Sequence, residues 1–270
     1  MPFIRLLKKM FLHVLVIIGS VIVIGYCTGM LFAYLMADRM IFPYNGSSYE
    51  EGAEIIYLDS KDGERIAAYH LSERSSPLLM LYSHGNGEDI GLIRPTMETF
   101  LESGVSVLAY DYPGYGLSSG NASESGVYAA ADAAYKYATE TLGYKPENIT
   151  LYGRSLGSGP SCWLAERYPV KGIILDGAFS STFRVMTKVR VLPWDRFNNL
   201  SRLASIQCPV LIVHGKLDQT VPFTHALQNQ HALSGQVETL WSPNAGHNDL
   251  IEQLGSTYWD TVLHFTGTEH

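Results

Sequence analysis

Only three cysteines occur, Cys27, Cys162 and Cys208, and they lie too far apart for a disulfide framework or a paired-cysteine metal motif. No histidine stands near them at ligand spacing, so structural zinc is not expected, and neither is any other metal or cofactor. The three read as buried free thiols. Charge is also sparse, and no run of Lys or Arg interrupts the chain. Setting aside Arg5, Lys8, Lys9, Asp38 and Arg39 leaves 15 basic against 25 acidic residues, a net charge of −10 beyond residue 39. An acidic body without a basic run excludes nucleic acid as a partner and argues against broad adhesion to anionic lipid. There is no internal repeat or low-complexity tract, and no Pro-, Gly- or Ser-rich linker inside the body, so one folded domain of ordinary size is expected.

The N-terminal stretch is different. From Met10 to Ala37 no Asp, Glu, Lys or Arg appears, and a helix needs about 20 such residues to cross a bilayer. Arg5, Lys8 and Lys9 precede the run, which by the positive-inside rule leaves the N-terminus in the cytoplasm and the body on the extracytoplasmic side; Arg39 on the other flank weakens this only slightly. The apolar stretch exceeds the roughly 7–15 residues of a cleaved signal's core and lacks a small-x-small cleavage site, so an uncleaved single-pass anchor is expected. Cys27 follows the bulky Tyr26, a poor lipoprotein signal. Residues 1–39 therefore read as tail and membrane anchor, and 40–270 as the folded domain, joined by a hinge at 41–53 with Pro43, Gly46, Ser47 and Ser48.

In the body, residues 54–60 and 64–71 flank Lys61-Asp62-Gly63 and predict an antiparallel hairpin. Strand-like runs follow in PLLMLYSHG, VSVLAYDY, ITLYG, KGIILDG, PVLIVHG and VETLWSP, most of them separated by stretches long enough for a helix. Near-continuous apolar strands alternating with helices predict an α/β fold with a mostly parallel central sheet covered on both faces.

Ser155 lies in Gly153-Arg154-Ser155-Leu156-Gly157, directly after the strand ITLY and before the helix-compatible SGPSCWLAERY. This is the strand-turn-helix setting of a nucleophile elbow, in which the glycines leave room for a tight turn that lifts the hydroxyl clear of the sheet. A serine hydroxyl needs a positioned base, itself oriented by an acid. His247, after the last strand, fits the base. Asp218 in His214-Gly215-Lys216-Leu217-Asp218 fits the acid by chain order; Asp176, also at a strand end, is its rival, and Asp249 reads as a local loop carboxylate. His84 and His214, each before a glycine at a strand end, read as structural. The backbone N–H groups of Leu156 and of Asn86, in the glycine-rich Ser83–Gly87 loop, are the candidate oxyanion donors.

SHGNGEDIG, YDYPGYGLSSG, LYGRSLGSGP, HGKLDQTVP and AGHND resemble the successive motifs of membrane-associated α/β-hydrolases, a subfamily that includes eukaryotic protein depalmitoylases and uncharacterised bacterial proteins. The resemblance covers about residues 40–268. It implies the α/β-hydrolase fold, Ser155, Asp218 and His247 as a triad, Asn86 and Leu156 as oxyanion donors, and a structural role for Asp111–Gly116. The substrate class it implies is an acyl ester or thioester: simple carboxylester hydrolysis is the broader expectation, and a palmitoyl-protein thioesterase stays open, with lipidated substrates included. One departure bears on that substrate: the depalmitoylases attach through a cysteine-rich lipidated N-terminus, whereas this chain has a hydrophobic span that would meet lipid itself. A serine exopeptidase is the second reading, weakened because Asp195 is the sole acid between Gly177 and Cys208 and a cap that grips an amine needs paired carboxylates. A non-catalytic scaffold is the third.

A short cap is expected at about 179–206. Within it Arg184, Lys188, Arg190, Arg196 and Arg202 accompany Phe183, Met186, Val189, Leu192 and Trp194. Such a mixture suits either a solvated covering helix or a surface that leans on lipid headgroups.

Overall fold

The apolar runs become strands because each is flanked by turn residues and too short for a stable isolated helix. A computed structural model describes residues 2–43, 46–73, 75–187 and 191–268. The chain divides into two compact units, Met1–Ile41 and Phe42–His270. The first is a single helix, α1 (Pro2–Ile41), whose apolar side chains from Phe3 to Leu35 are largely exposed. It is long and apolar enough to cross a membrane, with mean hydropathy 2.4 in its most apolar window.

The second unit is built on an eight-stranded sheet. The predicted hairpin is β1 (Ile55–Asp59) and β2 (Arg65–Leu71), antiparallel with Tyr57 opposite Ala67. Gly63 takes φ +83° in its turn, a conformation that glycine tolerates without strain. The others are β3 (Leu79–Ser83), β4 (Ser106–Tyr110), β5 (Ile149–Arg154), β6 (Gly172–Asp176), β7 (Val210–Gly215) and β8 (Val237–Ser242). Their spatial order is β1-β2-β4-β3-β5-β6-β7-β8. β2 meets β4 antiparallel, and every pairing from β4 to β8 is parallel.

Every residue of β3, β4, β6 and β7 is buried, as expected of strands sandwiched between helices. Alternation sends Met80, Tyr82, Val107, Tyr152 and Ile174 to one face, where they share a core with Met97 and Phe100 of α2 (Arg94–Glu102) and Tyr258 and Val262 of the C-terminal helix Ser256–Thr266. The other face is covered by α3 (Glu124–Lys136) and α4 (Ser158–Arg167). Ser123 caps α3 by accepting from Gly126 N, a contact whose loss typically costs about 1 kcal/mol.

Three expectations need correction. The stretch 41–53 is not a free hinge throughout: Ser48 N donates to Asp89 at 2.6 Å, and the Tyr49 hydroxyl bonds Asp111 and accepts from Leu117 N. Tyr44 and Asn45 lie outside the described residues. All three thiols are free, but only Cys162 is buried; Cys208 is part-buried and Cys27 exposed on its helix. Burial pushes Cys208 up to about 11, so its thiol stays protonated near neutrality.

The third correction concerns the basic residues between β6 and β7. Three of them are paired with acids, two of which come from outside the segment: Arg184 with Asp195, Arg196 with Glu124 of α3, and Arg202 with Glu166 of α4 at 2.7 Å. Arg202 also lies over Tyr128 and Trp163. Two short helices form here, α5 (Thr182–Thr187) and α6 (Asn199–Leu203). Lys188, Val189, Arg190 and the Met186 side chain lie outside the described residues.

Candidate active site

Strand β5 ends at Arg154, and the chain turns through Ser155–Gly157 straight into α4. Ser155 has φ +47°, a backbone conformation that costs a non-glycine residue about 1 kcal/mol or more and persists only where its surroundings enforce it. The glycines explain how. A Cβ on Gly153 would stand 2.7 Å from Gly157 O, and one on Gly157 would stand 1.9 Å from Ser83 O. The turn thus closes on itself and packs against the end of β3.

The sheet order sets β3 and β6 on either side of β5, with β7 and β8 beyond β6, so the loops after β3, β5, β7 and β8 open along one edge. There the Ser155 hydroxyl lies 2.9 Å from His247 Nε2, and His247 Nδ1 donates to Asp218 Oδ2 at 2.7 Å. Asp218 Oδ1 accepts from Thr220 N at 2.8 Å and Val221 N at 2.7 Å, which fixes the carboxylate plane. Burial works against the Asp218 charge, but the hydrogen bond and charge of His247 outweigh it and hold the carboxyl below its usual 3.8. Gly177, at φ +60°, leaves room beside the imidazole: a Cβ there would lie 3.2 Å from His247 Cε1.

Asp176 does not join this series. Its Oδ2 accepts from Tyr152 at 2.5 Å and Tyr258 at 2.7 Å in the core beneath the C-terminal helix. Asp249 accepts from Gly246 N at 2.7 Å, bracing the turn before His247. His84 is fully buried and Nδ1 donates to Gly85 O; His214 Nε2 donates to Val221 O, and burial keeps its pKa below 6.5.

Asn86 and Leu156 sit on the two segments that Gly157 brings together at Ser83. The Asp111–Gly116 motif supports the first of these. Tyr112 donates to His84 O at 2.6 Å, and Tyr115 donates to Asn86 Oδ1 at 2.8 Å. Among the described residues no group of three His, Cys, Asp or Glu is placed to hold a metal ion.

Sequence reasoning missed three residues beside this cluster: Arg154, Glu88 and Asn248. Arg154 Nε donates to Glu88 Oε1 at 3.2 Å and Nη2 to Asn248 Oδ1 at 3.0 Å. The one available signal was a long charged side chain between the glycine and the serine of the elbow. It also missed Phe197, fully buried at φ +46°, which packs on α4 where Gly159 has no side chain.

Over 245 residues the chain is 34% identical to the human alpha/beta hydrolase domain-containing protein 17B, spanning 87% of this chain and 82% of that protein. The chain belongs to the α/β-hydrolase family. The Xenopus tropicalis 17B protein is similar at 35% identity over the same shares, and residues 79–191 match the alpha/beta hydrolase fold family. Among solved structures, a Pyrococcus furiosus esterase superposes with a TM-score of 0.67 at 19% identity, covering 81% of this chain and 90% of that one. Est1E of Butyrivibrio proteoclasticus, with ferulic acid bound, gives 0.64 at 21% identity, covering 77% and 98%. At such identities these two likenesses concern the fold. The hydrolase is thus an enzyme of the subfamily to which its motifs pointed.

Proposed function

We propose that this hydrolase cleaves carboxylic ester or thioester bonds through an acyl-enzyme on Ser155. The observation that supports this best is the unbroken series Ser155 Oγ, His247 Nε2, His247 Nδ1, Asp218 Oδ2, with contacts of 2.9 and 2.7 Å, on a serine at positive φ.

In this reading His247 Nε2 takes the Ser155 proton as Oγ attacks the acyl carbon, and the imidazolium is steadied by ionised Asp218. The N–H groups of Leu156 and Asn86 receive the developing oxyanion, a contribution worth about 3–4 kcal/mol per donor in comparable sites. His247 then returns the proton to the departing alcohol or thiol. Water repeats the sequence on the acyl-enzyme and frees Ser155. Asp195 already accepts from Phe183 N and Arg196 N, which makes it a poor grip for a substrate amine and favours esters over peptides.

We place the body on the extracytoplasmic side of a membrane crossed by α1, with Arg5, Lys8 and Lys9 on the cytoplasmic flank. Acyl substrates there include those that are themselves lipidated. The reading is tested by labelling wild type and Ser155→Ala with a fluorophosphonate and assaying both on acyl esters and thioesters of increasing chain length. Labelling and turnover that vanish together in Ser155→Ala support it. Turnover that survives the substitution overturns it.

A further inference from the structure

We propose that Arg154 is a positioning residue that sets the spacing of nucleophile, oxyanion donor and base through one guanidinium. The inference rests on the reading of Ser155, His247 and Asn86 just given.

Arg154 directly precedes Ser155. Its Nε donates to Glu88 Oε1 at 3.2 Å, while the other oxygen of that carboxylate, Oε2, accepts from Gly85 N at 2.7 Å. Gly85 directly precedes Asn86. Arg154 Nη2 donates to Asn248 Oδ1 at 3.0 Å, and Asn248 directly follows His247. Its Nη1 lies 3.9 Å from Asp176 Oδ1 at the end of β6. One planar group therefore links the residue before the nucleophile to the residue after the base directly, and to the residue before Asn86 through the Glu88 carboxylate. A guanidinium is suited to this, since its donors leave a rigid plane in fixed directions, whereas an ammonium on a flexible stem has no such fork.

Backbone packing holds the elbow against the end of β3, but between the loops after β3 and β8 packing does not do the same work. The loops after β3 and β8 face each other here across a cavity of about 190 Å³, lined by Glu88, Thr96, Arg154, Asp176 and Asn248 among others. Where side chains interlock, their contact fixes the distance between segments; across this cavity the hydrogen bonds of Arg154 must. The side chain of Arg154 is 18% exposed and that of Glu88 26%, so the pair is shielded from water. An unsupported shift of about 1 Å in such a site costs on the order of 100-fold in rate.

A brace that served folding alone would lower the melting temperature and leave the kinetics of the folded fraction unchanged. The test is a double-mutant cycle on the full chain in detergent, using Arg154→Lys and Asn248→Ala with a soluble acyl ester. Asn248 is exposed, so Asn248→Ala should melt as wild type yet lose about ten-fold in kcat, with KM within about two-fold. Arg154→Lys should lose about 100-fold in kcat, and the double variant should be no worse than Arg154→Lys alone. The proposal is overturned if both single variants keep wild-type kcat per folded molecule, or if their losses multiply as independent sites do. Ser155→Ala run alongside separates the two levels: an active Ser155→Ala sinks the serine reading, while an inactive one with an active Arg154→Lys sinks only the clamp.

Discussion

Gly157 approaches Ser83 so closely that a Cβ at 157 would stand 1.9 Å from the Ser83 carbonyl oxygen and 2.8 Å from that of His84. Both obstacles are backbone, so neither can rotate aside. Gly157→Ala must push the elbow away from the end of β3, separating the segments that hold Leu156 and Asn86. We expect a loss of stability of about 1–3 kcal/mol or more, with activity falling further than stability accounts for. Thermal unfolding and kcat measured on the same preparation check this. A fully active, normally stable Gly157→Ala would mean that the elbow does not depend on this approach.

Ser155 itself carries backbone strain at φ +47°. Ser155→Ala keeps the strain and removes the hydroxyl, so turnover should fall at least about 10³-fold with little change in stability. Ser155→Gly removes both. It should be equally inactive yet more stable than Ser155→Ala by about 1 kcal/mol, a difference of roughly 2–4 °C in melting temperature. Equal melting of the two variants would show the positive φ to be unstrained.

The two candidate acids separate by their partners. Asp218 receives His247 Nδ1–H, whereas Asp176 accepts from Tyr152 and Tyr258. Asp218→Asn should therefore lower kcat by about 10⁴-fold in a folded protein. Asp176→Asn should cost about 1–3 kcal/mol of stability through its buried hydrogen bonds while leaving kcat within about ten-fold. Steady-state kinetics and denaturant unfolding of both variants decide the matter, and a reversed order would move the acid to Asp176.

The sheet was legible because its central strands are near-continuous apolar runs between turn residues, a pattern that depends on local sequence. The meeting of Ser155, Asp218 and His247 was legible for a related reason: each follows a strand, after β5, β7 and β8 in turn, and the topology brings those loops to one edge. Arg154 was not, because its partners Glu88 and Asn248 stand 66 and 94 residues away and only the sheet order makes them neighbours. The segment between β6 and β7 misled in the same way. Counting charges between Gly177 and Cys208 finds one acid, but Arg196 and Arg202 take their counter-ions from α3 and α4. A charge balance drawn along the chain cannot see partners that packing supplies.

Two buried imidazoles give the fold a pH dependence. Loss of water is the main cause holding the pKa of His214 and His225 below 6.5; Arg184 and the neighbouring His214 add to it at His225, and Asp218 opposes it at both. His225 Nδ1 also faces the Ser180 hydroxyl at 2.8 Å. The unfolded chain takes up these protons from about pH 6.5 downward and the folded chain only at lower pH, so stability is whole above pH 6.5 and falls as the pH drops through that interval. The depressed carboxyl of Asp218 adds its own loss only below about pH 3.8. Melting temperature should thus be flat above about pH 7 and decline toward pH 5, with a shallower decline in His225→Asn. A profile flat down to pH 4 would contradict the burial of both rings.

Membrane orientation is open to a direct test because the charges on either side of the span are so few. Arg5, Lys8 and Lys9 lie on the N-terminal side, against Asp38 and Arg39 on the other. The bias of Lys and Arg within about 15–20 residues of a span sets its direction, and acidic residues contribute little. The comparison is therefore three against one, which favours an N-terminus retained in the cytoplasm. Protease added to intact spheroplasts should then digest residues 42–270 while leaving cytoplasmic markers whole. Changing Arg5, Lys8 and Lys9 together to Gln leaves Arg39 as the only flanking cation, and a fraction of the chains should become protected. If the wild-type body is already protected in sound spheroplasts, the enzyme faces the cytoplasm, and its acyl substrates must be sought on that side.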